Sequence, residues 1–389
     1  MERPGLERLL QPYTEANFLA KHWPDKPLVV HGSPQRLSEL TQLPELQTPS
    51  ALLNVCRGVS VTAILPDRRD ESHCVEVSPE VAAEMYKAGI GLSVGAAERF
   101  IPALKVWVEH LSLDLGLPKT TWARCIVYVS PAETGAPPHF DTNANFSLQL
   151  RGKKTWRIAP NNSVNYPTER HVIFDEPSAK LREQCHSALP TELPANTENI
   201  ELQPGSLLFV PRGCWHTTTS QEETLSLNFT FSQQSWAILA AHALLKRLHR
   251  QELWRRTPNL RADSPADISQ HLQEATQLLE ALRADLNDMH PKDLLETART
   301  CTRMFRIKSG ALLSQEGGTW VAQLPDGTRV AIETPEVFQQ AFAATAVWPN
   351  WFTAQEIIAT LRVASFTEVD LFLLLSRLVD AGVLESRDV

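Results

Sequence analysis

Residues 135–158 read Gly-Ala-Pro-Pro-His-Phe-Asp-Thr-Asn-Ala-Asn-Phe-Ser-Leu-Gln-Leu-Arg-Gly-Lys-Lys-Thr-Trp-Arg-Ile. Asn145, Ser147 and Gln149 alternate with Phe146, Leu148 and Leu150, the period-two pattern of a strand with one polar and one apolar face. His139 and Asp141 stand two apart, so a short extended segment aims both side chains at one point. A metal held this way needs a third ligand from elsewhere, and His216, in Pro211-Arg212-Gly213-Cys214-Trp215-His216, is the candidate. Two imidazoles and one carboxylate leave one face of an octahedron open. That suits iron(II), with a bidentate cosubstrate and dioxygen on the open face.

Outward from this stretch, short β-branched runs at 125–129, 146–150, 154–158, 200–202, 207–210 and 224–231 are punctuated by turns. This predicts an antiparallel β sandwich or barrel. In the last run Thr224, Ser226, Asn228 and Thr230 oppose Leu225, Leu227 and Phe229. A polar strand face is either solvated or turned into a wet, ligand-holding interior. The metal-ligand spacing nearby favours the interior for Asn145 and Asn228. Residues 161–199, rich in Pro, Glu, Ser and Asn, read as a lid or substrate-facing insertion, or as a surface loop. His171 and His186 inside it, like His22 and His31 earlier, are read as non-ligands.

The flanks are more helical. Helices are expected at 15–23, 79–87 and 103–115 and a strand at 26–32, a region that supports the β part. A helix at 236–256 ends in Lys246, Arg247, Arg250, Arg255 and Arg256, read as a solvated face rather than a nucleic-acid site. After the start signal Ser264-Pro265, the residues Ile268, Leu272, Ala275, Leu279, Leu282, Leu286 and Met289 form a heptad seam. It packs within the chain or joins two copies. A further helix is expected at 291–305. A hairpin follows, 319–324 and 328–332 around Pro325-Asp326-Gly327, then helices at 335–344, 353–361 and 368–381 and a strand at 382–385. That order is winged-helix-like, yet helix 368–381 carries Glu368, Asp370 and Asp380 against Arg377, which argues against DNA binding.

With 37 Lys and Arg against 45 Asp and Glu, the 389-residue chain has a formal charge of −8, unlike a nucleic-acid coat or membrane-surface protein. Six scattered cysteines without a Cys-x-x-Cys pair suggest reduced thiols in cytoplasm. No stretch approaches the roughly 20 apolar residues of a spanning helix, and the start lacks a signal-peptide core, so a soluble, unprocessed cytoplasmic protein is expected.

Residues 124–231 resemble the barrel of the JmjC-type iron- and 2-oxoglutarate-dependent hydroxylases. The resemblance rests on His139-x-Asp141 with Asn145-Phe146, Gln149, Gly152 and Lys154, then Glu201-x-x-Pro204-Gly205-x-x-x-Phe209-Val210-Pro211 through Trp215-His216 to Asn228-Phe229. The motif is similar to that of the asparaginyl hydroxylase acting on the hypoxia-inducible factor, and the domain order is similar to that of the ribosomal oxygenases. The resemblance implies an α+β chain: a double-stranded β-helix (cupin or jelly-roll) catalytic domain with N-terminal support over 1–232, a helical and dimerising region over 233–295, and a winged-helix-like domain over 296–389. It implies His139, Asp141 and His216 as Fe(II) ligands, Lys154 on the distal carboxylate of 2-oxoglutarate, and Asn145 and Asn228 beside its iron-chelating end. One position departs: the asparaginyl hydroxylase has a threonine three residues before the first ligand, where this chain has Ala136. Tyr128 and Thr155 are the hydroxyls considered as replacements. The expected activity is hydroxylation of a side chain in a protein or peptide, ribosomal protein first, by a homodimer. A small-molecule or peptide-natural-product hydroxylase, a non-catalytic metal-binding cupin and an N-methyl-lysine demethylase are the alternatives.

Overall fold

The computed structural model describes residues 3–56, 60–65, 74–118, 121–232, 235–257, 265–300, 303–316, 319–332 and 381–388, with scattered positions between 339 and 379. The chain forms two compact units, Met1–Leu117 with Thr121–Gln233, and Pro118–Thr120 with Gln234–Val389.

Thirteen strands build the described part of the first unit: β1 Leu28–Val30, β2 Val61–Ile64, β3 Cys74–Val77, β4 Gly91–Val94, β5 Trp122–Ser130, β6 His139–Phe140, β7 Ala144–Arg151, β8 Lys154–Ala159, β9 His171–Val172, β10 Glu198–Leu202, β11 Leu207–Val210, β12 Trp215–Ser220 and β13 Thr224–Ser232. They lie in two sheets, ordered β1-β11-β7-β13-β5-β4-β2-β3 and β10-β8-β12-β6-β9. Every pairing in both is antiparallel. The sheets meet through Ile158, Ile200 and Leu202 of the small one against Leu208 and Val210 of the large one. This is the jelly-roll architecture the strand pattern predicts.

The alternation in β7 and β13 has an instructive outcome, because both faces of both strands are buried. Their apolar residues point out of the barrel into a core shared with the N-terminal helices. Phe18 of helix Glu15–Lys21 lies edge-on to Phe209 at 5.1 Å, and Trp107 of helix Pro102–Asp114 stacks on Phe229 at 6.2 Å. Each such aromatic contributes about 1.5–3 kcal/mol by leaving water. The helices start where capping chemistry allows, with Thr14, Thr48 and Ser78 side chains accepting from the N–H three residues on. With the outer face covered, the polar residues must face inward. Gly152, at φ 63°, turns the chain from one sheet into the other, and a Cβ there would lie 2.1 Å from the Glu223 carbonyl oxygen.

Residues 161–199 are neither a loose loop nor a detached lid. Val164, Ile173 and Leu181 share a small core with Phe140, Ala159 and Trp215, and β9 pairs with β6, placing Val172 opposite His139. The insertion is a wall of the small sheet.

In the second unit the expected helix 236–256 divides into Trp236–Leu248 and Glu252–Arg255. Asp285, on the long helix Pro265–Asn287, fastens them by accepting from Arg247, Gln251 and Trp254. The seam on that helix is open: Ile268, Leu272, Leu279 and Leu286 are 50, 65, 54 and 46% exposed. The helix expected at 291–305 is shorter, Pro291–Thr300, because Arg303–Ile307 pairs with Leu384–Asp388. The hairpin lies at Thr319–Gln323 and Arg329–Ile332, with Leu312–Glu316 as a third strand. The helices expected at 335–344, 353–361 and 368–381, and with them the winged-helix-like arrangement, fall largely outside the described residues.

Candidate metal and cosubstrate site

His139 and His216 face each other because β6 and β12 pair with exactly these two residues in register. Their rings sit 4.1 Å apart, centroid to centroid. Nδ1 of His139 lies 2.7 Å from the Pro137 carbonyl oxygen, and Nδ1 of His216 lies 2.9 Å from that of Cys214. A carbonyl oxygen only accepts, so each Nδ1 carries the proton and each Nε2 presents a lone pair. Asp141 lies 3.8 Å from Nε2 of His139 and 3.7 Å from Nε2 of His216, one carboxylate oxygen to each. One ligand atom from each residue falls within 4.8 Å of the others, the one such group among the described residues.

Three acceptors converging without a hydrogen between them repel unless a cation joins them, and this donor set fits Fe(II). Burial, with the Arg170 guanidinium, pushes the His139 pKa down to about 4, so the ring is neutral and ready to ligate at pH 7. For Asp141 burial works against the charge. The two imidazoles, Arg170 and the Asn145 amide outweigh it and hold the carboxyl below the usual aspartate range.

The surroundings orient the carboxylate. Asn145 Nδ2 donates to Asp141 Oδ2 at 3.0 Å, and the Asn145 oxygen accepts from Thr230 at 2.9 Å and Asn228 at 3.2 Å. Arg170 Nε lies 3.3 Å from Asp141 Oδ1. Gly213 N–H donates to the Asp141 carbonyl, while Arg212 beside it holds the Pro167 carbonyl with two nitrogens. The backbone before His139 lies flat on β12: Gly135 has no room for a side chain, its Cβ position being 1.9 Å from the Thr218 carbonyl oxygen. Gly135→Ala should therefore cost about 1–3 kcal/mol. It should also weaken metal binding by displacing His139, which calorimetric melting and a metal titration would register.

Lys154 opens β8 on the barrel interior and is only 5% exposed. Its ammonium donates to Ser130 Oγ at 3.2 Å, and among the described residues no carboxylate pairs with it. Burial pulls its pKa down to about 8. Gln149 Oε1, Trp156 Nε1 and Asn228 Oδ1 are buried on the same interior without a hydrogen-bond partner. Trp156 also stacks against the His216 ring at 5.7 Å. A buried cation with no counter-ion among the described residues, in a barrel that also holds orphaned polar atoms and a convergent ligand set, is what an anionic, iron-chelating molecule would satisfy. The residues present fit 2-oxoglutarate.

His139, Asp141 and His216 thus converge, and the amide nitrogens of Asn145 and Asn228 bond Asp141, Asn145 and Thr230. Thr155, one of the two hydroxyls considered for the Ala136 departure, faces away from Lys154 and accepts from Gln221 on the outside. Sequence reading missed Ser130, Trp156, Arg170 and Arg124. Arg124 sits beside Thr230 in register, its guanidinium 4.0 Å above Trp122, and burial lowers its pKa to about 10. Extending the alternation of β5 to Trp122, Arg124, Tyr128 and Ser130 would have found two of these.

Residues 112–239 match the family described as the JmjC domain. YxbC of Bacillus subtilis (strain 168) is 30% identical over 301 residues, covering 75% of this chain and 90% of that protein. The chain belongs to the JmjC family. Two further relatives bear names that state an activity. The bifunctional lysine-specific demethylase and histidyl-hydroxylase NO66 of Drosophila pseudoobscura pseudoobscura is 27% identical over 332 residues, 79% of this chain and 30% of its own length. Ribosomal oxygenase 1 of Homo sapiens is 29% identical over 155 residues, 40% of this chain and 22% of its own length. This JmjC chain therefore spans less than a third of either. The ribosomal oxygenase YcfD from Escherichia coli, solved with cobalt and succinic acid, aligns over 96% of this chain and 98% of its own at 16% identity and a TM-score of 0.45, too loose a likeness for residue-level comparison.

Proposed function

We propose that this protein is an Fe(II)- and 2-oxoglutarate-dependent hydroxylase acting on an amino-acid side chain in a polypeptide, with a ribosomal protein as the first substrate to test. The observation that carries the reading is the convergence of His139, Asp141 and His216 in a barrel whose interior also holds Lys154, a buried ammonium with no paired carboxylate among the described residues. Ferrous iron bound there with 2-oxoglutarate and dioxygen would supply the chemistry, oxidative decarboxylation to succinate coupled to insertion of an oxygen atom into a C–H bond.

The chain's own residues prepare that chemistry. The two Nδ1–H groups lock the imidazole tautomers onto backbone carbonyls, and Asn145 fixes the rotation of the Asp141 carboxylate. Lys154 supplies the fixed charge that selects a dicarboxylate. Asp141 keeps 23% of its side-chain exposure, so the ligand set opens toward solvent, which supports a macromolecular substrate. The names of NO66 and Ribosomal oxygenase 1 support the same class.

Purified protein supplied with iron, 2-oxoglutarate and ascorbate should release succinate. With a cell extract it should add 16 Da to a protein residue. Absence of both would leave a metal-binding barrel without this activity. Cosubstrate affinity should also depend on pH. The free protein sheds the Lys154 proton near pH 8, whereas a bound carboxylate favours the ammonium. Affinity should therefore fall as pH rises past about 8, approaching tenfold per unit. Titrating N-oxalylglycine into the manganese form between pH 7 and 9.5 would measure it.

The working form we propose is a cytoplasmic homodimer. The exposed heptad seam on Pro265–Asn287 supports a second copy as its cover, and buried, reduced Cys56, Cys125 and Cys214 fit a reducing compartment. Among the described residues no helix is long and apolar enough to cross a membrane. Light scattering should give twice the chain mass, and Leu272→Glu with Leu279→Glu should halve it.

A further inference from the structure

Along β5, Trp122, Arg124, Ile126, Tyr128 and Ser130 alternate with Ala123, Cys125, Val127 and Val129. The second set packs into the outer core, so the first faces the barrel interior. Ser130 meets Lys154 at one end of that face. Arg124 lies at the other end, paired in register with Thr230. Thr230 in turn donates to Asn145, which holds Asp141. The charge of Arg124 reaches Asp141, yet neither the ligand set nor Lys154 makes use of it.

The Arg124 Nε is buried without a hydrogen-bond partner, and among the described residues no carboxylate pairs with the guanidinium. Glu98 acts on it electrostatically, but the Glu98 Oε2 accepts the Cys125 N–H at 2.8 Å. Leaving such donors unsatisfied costs free energy. The guanidinium lies 4.0 Å above the Trp122 ring. A planar cation backed by an indole keeps one orientation and presents its N–H fork to whatever enters, the complement of a carboxylate. Ile126, next inward on the same face, offers an apolar wall for the methylene that would carry one. Charge balance agrees. In the loaded site a ferrous ion, the Asp141 carboxylate, a dicarboxylate cosubstrate and the Lys154 ammonium cancel. Arg124 and Arg170 then leave the metal end positive, with Glu98 offsetting one of the two. A cationic side chain entering there is repelled and an acidic one is drawn in.

We propose that Arg124, stacked on Trp122, is a specificity-determining residue that pairs with the carboxylate of an acidic side chain, Asp or Glu, which the substrate polypeptide inserts beside the metal. This inference rests on the hydroxylase reading above and names its substrate class, and the two fail separately.

The test uses the full-length manganese-loaded protein with N-oxalylglycine and five blocked peptides, identical except for a central Asp, Glu, Asn, Lys or Leu. Manganese broadens the NMR lines of nearby peptide protons, which reads binding beside the metal without turnover. The Asp or the Glu peptide should bind about fivefold or more tighter than the other three. Arg124→Gln should erase that preference while leaving N-oxalylglycine affinity within a few-fold of the wild type. Arg124→Glu should transfer the preference to the Lys peptide, a reversal that a merely structural role does not produce. Asn, Lys or Leu peptides bound as tightly as the acidic ones, or an acidic preference that survives Arg124→Gln, would overturn the assignment. So would a wild type that takes up N-oxalylglycine and none of the peptides. Failure to take up N-oxalylglycine would overturn the cosubstrate reading, and this inference with it.

Discussion

Asp141→Ala should abolish iron-dependent 2-oxoglutarate turnover and lower ferrous affinity by more than about 100-fold, since loss of groups that merely orient a ligand already costs about 10- to 100-fold. The side chain contributes little else to the fold. Its contacts are to the two imidazoles, Arg170 and Asn145, whereas its backbone carbonyl, which the substitution keeps, receives the Gly213 N–H. The variant should therefore melt near the wild-type temperature as apoprotein, and only the stabilisation by added metal should vanish. Thermal melts with and without manganese, read beside succinate release, separate a lost ligand from a lost fold. Turnover within a few-fold of the wild type would place the metal elsewhere.

Lys154→Met is expected to move two observables in opposite directions. Truncating one partner of a desolvated charge pair costs about 2–5 kcal/mol, so cosubstrate binding should weaken by roughly 30-fold or much more. The unliganded protein, by contrast, should gain stability. A pKa lowered from 10.5 to about 8 by burial means that keeping the ammonium charged inside the barrel below pH 8 costs roughly 3 kcal/mol, which a thioether of similar length avoids. A variant that binds N-oxalylglycine poorly and also melts lower would assign Lys154 to the architecture of the barrel. Higher melting with lost binding would mark a position kept for its ligand.

The convergent His139, Asp141 and His216 group was legible in the sequence because two of its members are near neighbours and the third follows a recognisable turn. His139 opens the short strand β6 and Asp141 follows directly after it, while His216 lies three residues beyond the tight turn at Gly213 that precedes β12. Alternation in β7 and β13 was equally plain, but which face meets water depends on whether something covers the apolar one. Phe18 and Trp107, far off in the chain, provide that cover. Arg170 was illegible for the same reason. It reaches the site through the fold of residues 161–199 and has no sequence neighbour in the motif, whereas the alternation of β5 does carry Ser130. The helix expected to continue to residue 305 ends early because Arg303–Ile307 finds its strand partner at Leu384–Asp388, a pairing no local propensity encodes.

The wall formed by residues 161–199 is riveted near the chemistry and buried again at Leu181, with exposed side chains between. Arg212 clasps it at Pro167, β9 zips it to β6 at Val172, and Phe174, just past that zip, is 57% exposed. The exposed side chains of that wall, Phe174 among them, can be exchanged without disturbing the rivets or the buried Ile173 and Leu181. Such a barrel can change its clientele by grafting a new rim while the ligand-bearing strands stay in place.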